Sequence, residues 1–248
     1  MAGKRVVIGM SGGVDSSVAA YLLKKAGYEV LGVTMKTWTP ASESVDDPGL
    51  GGSPEVIEDA KEVAQALGIS YYVVDFQKDF SDYVVDYFTQ EYLEGRTPNP
   101  CVVCNRYVKW EALLNKAKEL GAAYIATGHY ARIVCLENGR YALKTCEASA
   151  KDQTYALYNL TQAQLAHTLM PVGAYNKEEI REIASKIGLP VADKPDSQEI
   201  CFIPDHDYAK FIRQRTGREV CQGNFVTADG TVVGQHRGII HYTIGQRK

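Results

Sequence analysis

Val6-Val7-Ile8-Gly9-Met10-Ser11-Gly12-Gly13-Val14-Asp15-Ser16-Ser17 is the stretch on which the reading of the whole chain turns. The apolar run Val6 to Ile8 predicts a buried strand. A Ser-Gly-Gly turn follows, and Asp15-Ser16-Ser17 leads into the apolar helix Val18 to Leu23, with Lys24 and Lys25 in its last turn and Gly27 beyond it. Strand, glycine turn and helix start together make an anion site. Unpaired N–H groups point outward there, and the helix dipole favours negative charge. Gly12 and Gly13 let a ligand come close to the backbone, because no Cβ intervenes.

Two common phosphate motifs are excluded. The P-loop needs four residues between its glycines and then Gly-Lys-Ser/Thr, and no lysine stands here. The dinucleotide fingerprint Gly-x-Gly-x-x-Gly is also absent from this turn. Ser-Gly-Gly-Val-Asp-Ser instead resembles the loop of the N-type ATP pyrophosphatases, which holds the leaving pyrophosphate while AMP is transferred to an oxygen.

Further strand and helix signals succeed one another. Val30 to Met35 and Tyr71 to Asp75 predict strands. Ser53-Pro54-Glu55 predicts the N-cap and first turn of a helix that ends at Gly68. A tyrosine-rich helix is expected over 80–92, another over 105–120, a strand over 122–127, helices over 154–168 and 177–187, and a short basic helix over 207–214. Glu137-Asn138-Gly139-Arg140 predicts a hairpin turn. From Val220 onward β signals dominate. The alternation predicts an α/β fold, a parallel sheet with helices on both faces. Ligands of such sheets sit beyond the C-terminal strand ends, where Ser11 to Ser17 and Met35 fall. The polar loop 37–53 is long enough to suggest a functional role.

The 248 residues carry 27 Lys/Arg and 30 Asp/Glu, a net charge of −3. The charge is uneven: residues 96–151 hold 9 basic against 4 acidic side chains and residues 205–248 hold 7 against 4, whereas residues 1–95 hold 7 against 15. Nucleic-acid binding needs such a local basic face rather than a basic whole. No run of 18 apolar residues and no signal-peptide pattern is present, and six unevenly spaced cysteines do not form a secreted disulfide scaffold. A cytoplasmic setting is expected.

Thiols are the second feature. Cys101-x-x-Cys104 lies in an expected irregular loop, 95–104, where two prolines argue against helix. Cys201 lies in another such loop, 193–204. A Cys-x-x-Cys can be a redox pair, half a zinc site or an iron–sulfur ligand pair. Cys104, at the start of the following helix, is expected to have a lowered pKa and to be a candidate nucleophile. Cys135, Cys146 and Cys221 read as structural or incidental.

The motifs stand in a specific order: Gly9 to Ser16, Gly95-Arg96-Thr97-Pro98-Asn99-Pro100, Cys104-Asn105, Ala126-Thr127-Gly128-His129-Tyr130, Lys151-Asp152-Gln153, Asp196-Ser197, Ile200-Cys201-Phe202-Ile203 and Gly245-Gln246-Arg247-Lys248. In this the chain resembles the tRNA-specific 2-thiouridylase family over its whole length. The resemblance implies an adenine nucleotide alpha hydrolase-like PP-loop domain over 1–204 and the start of a small β-rich central domain over 205–248. The family ordinarily continues into a C-terminal β-barrel that helps grip tRNA, which this sequence does not include.

The resemblance further implies ATP-dependent 2-thiolation of the wobble uridine of tRNA, by adenylation of the C2 oxygen and then sulfur transfer. Gly9, Met10, Ser11, Gly12, Gly13, Val14, Asp15, Ser16, Met35 and Gly128 would bind ATP, with Mg²⁺ as the counterion. Asn99, Pro100 and Cys101 would meet the target base, and His129, Lys151, Asp152 and Gln153 would touch tRNA. Cys104 would be the nucleophile. Cys201 would carry a persulfide loaded by a cysteine desulfurase or a sulfur-relay protein, and a Cys104–Cys201 disulfide would follow each turnover. Many members carry Asp where Cys101 stands. That departure opens an alternative, an iron–sulfur cluster on Cys101, Cys104 and Cys201. Two further alternatives are another PP-loop adenylating ligase, which needs no thiols, and a nucleotide-binding module without catalysis.

Overall fold

The structure, a computed structural model, describes residues 3–38, 52–147, 149–195, 200–203 and 205–246. The expected loop 37–53, Asp196-Ser197 and Arg247-Lys248 therefore lie wholly or mostly outside the described residues. The chain starts with β1 (Arg5–Gly9), α1 (Val14–Lys25), β2 (Glu29–Lys36), α2 (Pro54–Leu67) and β3 (Ser70–Asp75). The signals for α2 act as read: the Ser53 hydroxyl accepts from Val56 N–H at 3.3 Å, Pro54 takes the first turn, and Gly68 closes the helix in the left-handed region.

A composite helix follows. It comprises α3 (Gln77–Phe80), a π-helical segment Ser81–Val85 and α4 (Asp86–Leu93). A second composite comprises α5 (Pro100–Cys104), a π-helical segment Asn105–Ala112 and α6 (Leu113–Glu119). Here the structure corrects the expected irregular loop. Pro100 is the first helical residue, the position where a missing N–H costs nothing, and Asn99 caps it by accepting from Val102 N–H at 3.4 Å.

Then come β4 (Tyr124–Ala126), the hairpin β5 (Ala131–Cys135) and β6 (Tyr141–Thr145), α7 (Gln162–Ala166), β7 (Thr168–Leu169), α8 (Lys177–Lys186), α9 (Tyr208–Thr216) and the pair β8 (Gly223–Val226) and β9 (Val232–His236). The helix expected over 154–168 is not continuous. A single 3₁₀ turn, Thr154–Ala156, precedes α7, which starts at its own capping box on Thr161 and Gln164. The two-residue β7 was too short to leave a pattern in the sequence.

Five parallel strands form one sheet in the order β3-β2-β1-β4-β7. The order reverses between β1 and β4, which opens a crevice at the C-terminal end of β1. Val6 and Ile8 face one apolar cluster, with Val18, Ala19, Val63 and Ile180. Val7 faces the other, with Phe80, Phe88, Trp110 and Leu113. Both faces of the sheet are therefore buried, as a parallel sheet requires. Helix α9 packs its Ala209 and Ile212 into that second cluster, and Phe211 meets Trp38, Phe88 and Phe202 at 5.3–6.3 Å between ring centroids. The residues after 205 thus share a core with those before it.

Candidate functional site

The glycine turn sits at the crevice. Gly12 has φ 65° and no room for a side chain, since a Cβ would stand 2.9 Å from the Val56 carbonyl oxygen of α2. Gly13 is the N-cap of α1 and supplies no side-chain cap. The N–H groups of the first turn are left to a ligand. Hydroxyls stiffen the turn: Ser11 N–H donates to Ser16 Oγ at 3.2 Å, and Ser17 Oγ donates to the Gly13 carbonyl at 2.8 Å. Met35 packs its methyl group over Gly9, and Met10 N–H donates to the Val33 carbonyl at 2.8 Å. Gly128 closes the other wall. A Cβ there would stand 2.7 Å from Ser16 N, so the loop after β4 lies directly on the start of α1. The whole expected nucleotide set, Gly9 to Ser16 with Met35 and Gly128, is thereby brought to one place.

Two lysines that the sequence reading passed over stand at this turn. Lys177, the first residue of α8, places Nζ at 2.8 and 2.9 Å from the two Asp15 carboxylate oxygens. Tyr130 donates its hydroxyl to Asp15 Oδ1 at 2.7 Å. Lys194 pairs with Asp59, whose Cβ lies beside Gly12. A lone lysine on a helix (Lys177) or in a loop (Lys194) reads as solvated, so no sequence signal marks either residue.

From Gly128 the chain passes to His129, whose Nδ1 bonds Thr127 Oγ1 at 2.9 Å and whose ring lies 5.5 Å from that of Trp110. Burial, helped by the Lys109 charge, pushes the imidazole down to about 3, so His129 is neutral. Lys109 also acts on Cys104 and Cys201. It has no hydrogen-bond or ion-pair partner among the described residues. The π-helical segment explains its position. Five residues on from Cys104, an α-helix would carry Lys109 well off the Cys104 face, whereas a π-turn returns it toward that face.

The thiols correct one expectation. Cys104 ends α5 inside a longer helical run, not at a helix start, and is buried. Desolvation pushes its thiol up, Lys109 pulls it down, and Cys101 adds a smaller upward push. Cys201 has accessible surface yet is closely surrounded by protein, and its thiol is pushed up to about 12 by that burial first, then by Cys104. Cys101 is exposed in the first turn of α5, beside Asn99 and Pro100. The three thiols thus neighbour one another. Among the described residues, however, no group of three or more His, Cys, Asp or Glu side chains is arranged to hold a metal. The cluster alternative lacks its ligand set, and no protein cage for Mg²⁺ is present among those residues either. Cys146 is buried, while Cys135 and Cys221 are exposed.

Lys151 is exposed, next to the turn that presents Tyr155 and Tyr158 to solvent. Its two neighbours serve local structure. Asp152 accepts from Cys146 N–H at 2.9 Å and Thr154 N–H at 3.1 Å, and Gln153 Oε1 accepts from Tyr130 N–H at 3.0 Å. Asn105 Nδ2 donates to the Ala156 carbonyl at 3.0 Å and ties the same turn to the cysteine helix.

A doubly covered parallel sheet, with a Ser-Gly-Gly-Val-Asp-Ser turn at its switch point, defines a PP-loop protein of the HUP class. Residues 4–205 match the family model described as tRNA methyl transferase HUP domain, and residues 209–248 match the tRNA methyl transferase PRC-barrel domain. The tRNA-specific 2-thiouridylase MnmA of Lachnoclostridium phytofermentans is 62% identical over 246 residues, 99% of this chain and 69% of that protein. The enzyme of the same name from Clostridium acetobutylicum is 59% identical over 245 residues, again 99% of this chain and 69% of its own length. The chain belongs to the tRNA-specific 2-thiouridylase family, a family of sulfurtransferases. Among solved structures, a 4-thiouridine synthetase in complex with RNA and ATP shares the fold, with TM-score 0.53 at 17% identity over 86% of this chain and 50% of that one. No described helix is long and apolar enough to cross a membrane.

Proposed function

We propose that the chain 2-thiolates the wobble uridine of tRNA in two stages, at the two ends of one site. The observation that carries this reading is the junction at Gly128-His129. Gly128 lies on the phosphate turn. His129 lies against Trp110, in the π-helical segment that follows Cys104. The Lys109 charge acts on His129 and on Cys104 and Cys201 alike, which supports one site reaching from the anion cradle to the thiols. Thiols at this position favour sulfur transfer over the methyl transfer named in the family model.

In the first stage the uridine C2 oxygen attacks the α-phosphorus of ATP, and pyrophosphate leaves into the turn formed by Ser11 to Ser16. Mg²⁺ comes with the phosphates, to which it binds more readily than to an all-protein cage. In the second stage the terminal sulfur of a Cys201 persulfide attacks C2, and AMP leaves with the former C2 oxygen. The Cys104 thiolate then attacks Cys201 Sγ. The thiocarbonyl is released, and a Cys104–Cys201 disulfide remains for an external thiol to reduce. A cysteine desulfurase or a relay protein reloads Cys201. Residues 1–204 are read as the catalytic domain and 205–248 as part of a tRNA-binding domain. A wobble base is already unpaired, so turning it into the site costs little.

The test is incubation with ATP, Mg²⁺, a sulfur donor and unmodified tRNA, with 2-thiouridine read by mass spectrometry. Cys104→Ser and Cys201→Ser should each abolish it. A chain that forms no 2-thiouridine, and whose ATP-dependent product is a different one that both serine variants still make, would be an adenylating ligase of another kind.

A further inference from the structure

Lys177 occupies a place that local helix physics does not favour. It is the first residue of α8, where the dipole is positive and a cation is destabilising. The helix start is already complete without it. Asn176 accepts from Glu179 N–H at 2.8 Å, Glu179 returns the bond to Asn176 N–H at 2.7 Å, and Glu178 and Glu179 supply the negative charge. The Lys177 side chain is only 10% exposed, a large desolvation cost for an ammonium.

The partner explains the position. Asp15 lies in the first turn of α1, 162 residues away in sequence, and its side chain is 28% exposed. Lys177 holds both of its carboxylate oxygens, and Tyr130 holds one of them. On the reading that the turn takes ATP phosphates, an uncancelled carboxylate there would oppose a polyanion at short range in a poorly screened crevice. We propose that Lys177 is a positioning residue of the pyrophosphate site. It cancels the Asp15 charge and fixes that carboxylate away from the phosphates, so that the backbone N–H groups alone set the field of the turn.

The probe is inorganic pyrophosphate, with and without Mg²⁺, titrated calorimetrically into the full chain; ATP is the parallel probe. Lys177→Met should weaken pyrophosphate binding about tenfold or more, since it bares one charge beside the anion. Asp15→Asn alone sets the reference, and adding Lys177→Met to it should change affinity by less than about threefold, because no bared carboxylate is left for Lys177 to cancel. A structural role for Lys177 would cost affinity in that background too. Unchanged affinity in Lys177→Met overturns the proposal, and so does a loss from Lys177→Met that is just as large when Asp15 is already Asn. If Lys177→Met does not fold, the double variant is compared with Asp15→Asn, as it buries no unpaired charge: affinity within about threefold supports the proposal and a further tenfold loss overturns it. Should the unmodified chain bind neither pyrophosphate nor ATP, the phosphate-site reading itself fails, which is a separate result.

Discussion

Replacing Gly128 by alanine tests whether the loop after β4 and the phosphate turn are one rigid unit. The new Cβ would lie 2.7 Å from Ser16 N, 2.9 Å from Asp15 C and 3.0 Å from Ser16 Cα. Contacts of this kind normally sit at about 3.5 Å or more, so about 0.5–0.8 Å must be found. All three opposing atoms are backbone of the first turn of α1, and no side chain can swing aside. Overpacking against such a wall costs about 1–3 kcal/mol. At roughly 2–4 °C per kcal/mol for a chain of this size, the melting temperature should fall by about 2–12 °C. The expected consequence for binding is larger, because the displaced backbone carries the Ser16 N–H, a donor of the proposed anion site. A shift near 1 Å in positioned groups can cost about 10²-fold in rate, so ATP affinity should fall at least about tenfold. Gly139→Ala is the control. It has φ 78° at an open hairpin turn with nothing within 4 Å, so it strains the fold away from the site. Calorimetric titration of ATP into both variants decides. If Gly128→Ala binds ATP as Gly139→Ala does, the two walls are not coupled and the geometry of the crevice has been misread.

Three further outcomes are expected. Alkylation of Cys104 and Cys201, mapped by peptide mass, should keep accelerating above pH 9, for Cys201 toward about 12, and Lys109→Met should slow both by removing the charge that pulls them down; a plateau below pH 9 at both sites contradicts this. The His129 imidazole should not titrate between pH 5 and 8. Its folded value, lowered to about 3, lies below the ordinary 6.5, so its contribution to stability is present above pH 6.5 and is lost as pH falls toward 3. His129→Gln should therefore unfold at lower pH than the parent chain, and an NMR titration of the ring near 6.5 would refute the placement. Tyr155 and Tyr158 are 64% and 69% exposed on a turn tied down through Gln153 and Ala156. Rigid, exposed rings suit stacking by unpaired bases, so Tyr155→Ala and Tyr158→Ala should each weaken anticodon stem-loop binding by about 1 kcal/mol or more, and unchanged affinity in a filter-binding assay would exclude the role.

The parts of the fold that follow from local chemistry could be read from the sequence. Val6 to Ile8 before Ser-Gly-Gly, Ser53-Pro54 with Gly68, and Asn138-Gly139 each act through one or two neighbours, and each appears where expected. Pro100 misled because proline breaks a helix interior but suits its first position, and the sequence does not say which applies. The π-helical segments have no distinctive hydrophobic period, so the turn that returns Lys109 toward Cys104 was invisible. The error over Cys104 has the same origin. Once the helix begins at Pro100, Cys104 loses the dipole argument and gains burial, and the sign of its shift reverses. Asp152 and Gln153, expected to touch tRNA, also accept from the Cys146, Thr154 and Tyr130 backbone, bonds that the sequence does not reveal. The Asp15–Lys177 pair joins residues 162 positions apart, which only the assembled sheet could reveal.

The two ends of the site differ in how they hold charge, and the difference suits the two proposed stages. The phosphate end must accept a polyanion and release it. Among the described residues, Lys177 is paired there with Asp15 and Lys194 with Asp59, so the backbone dipoles, which need no reorganisation, carry much of the attraction. The sulfur end handles at most one transient negative charge. There a buried thiol, a second thiol pushed up to about 12 and a neutral histidine share the ammonium of Lys109, which has no hydrogen-bond or ion-pair partner among the described residues. Thiols held protonated at rest are poor nucleophiles, and the low-dielectric setting multiplies the effect of any charge that does appear. On the proposed mechanism, this setting would keep the Cys104 thiol a poor nucleophile at rest, and Lys109 is the charge placed to favour its thiolate when attack on Cys201 Sγ is required.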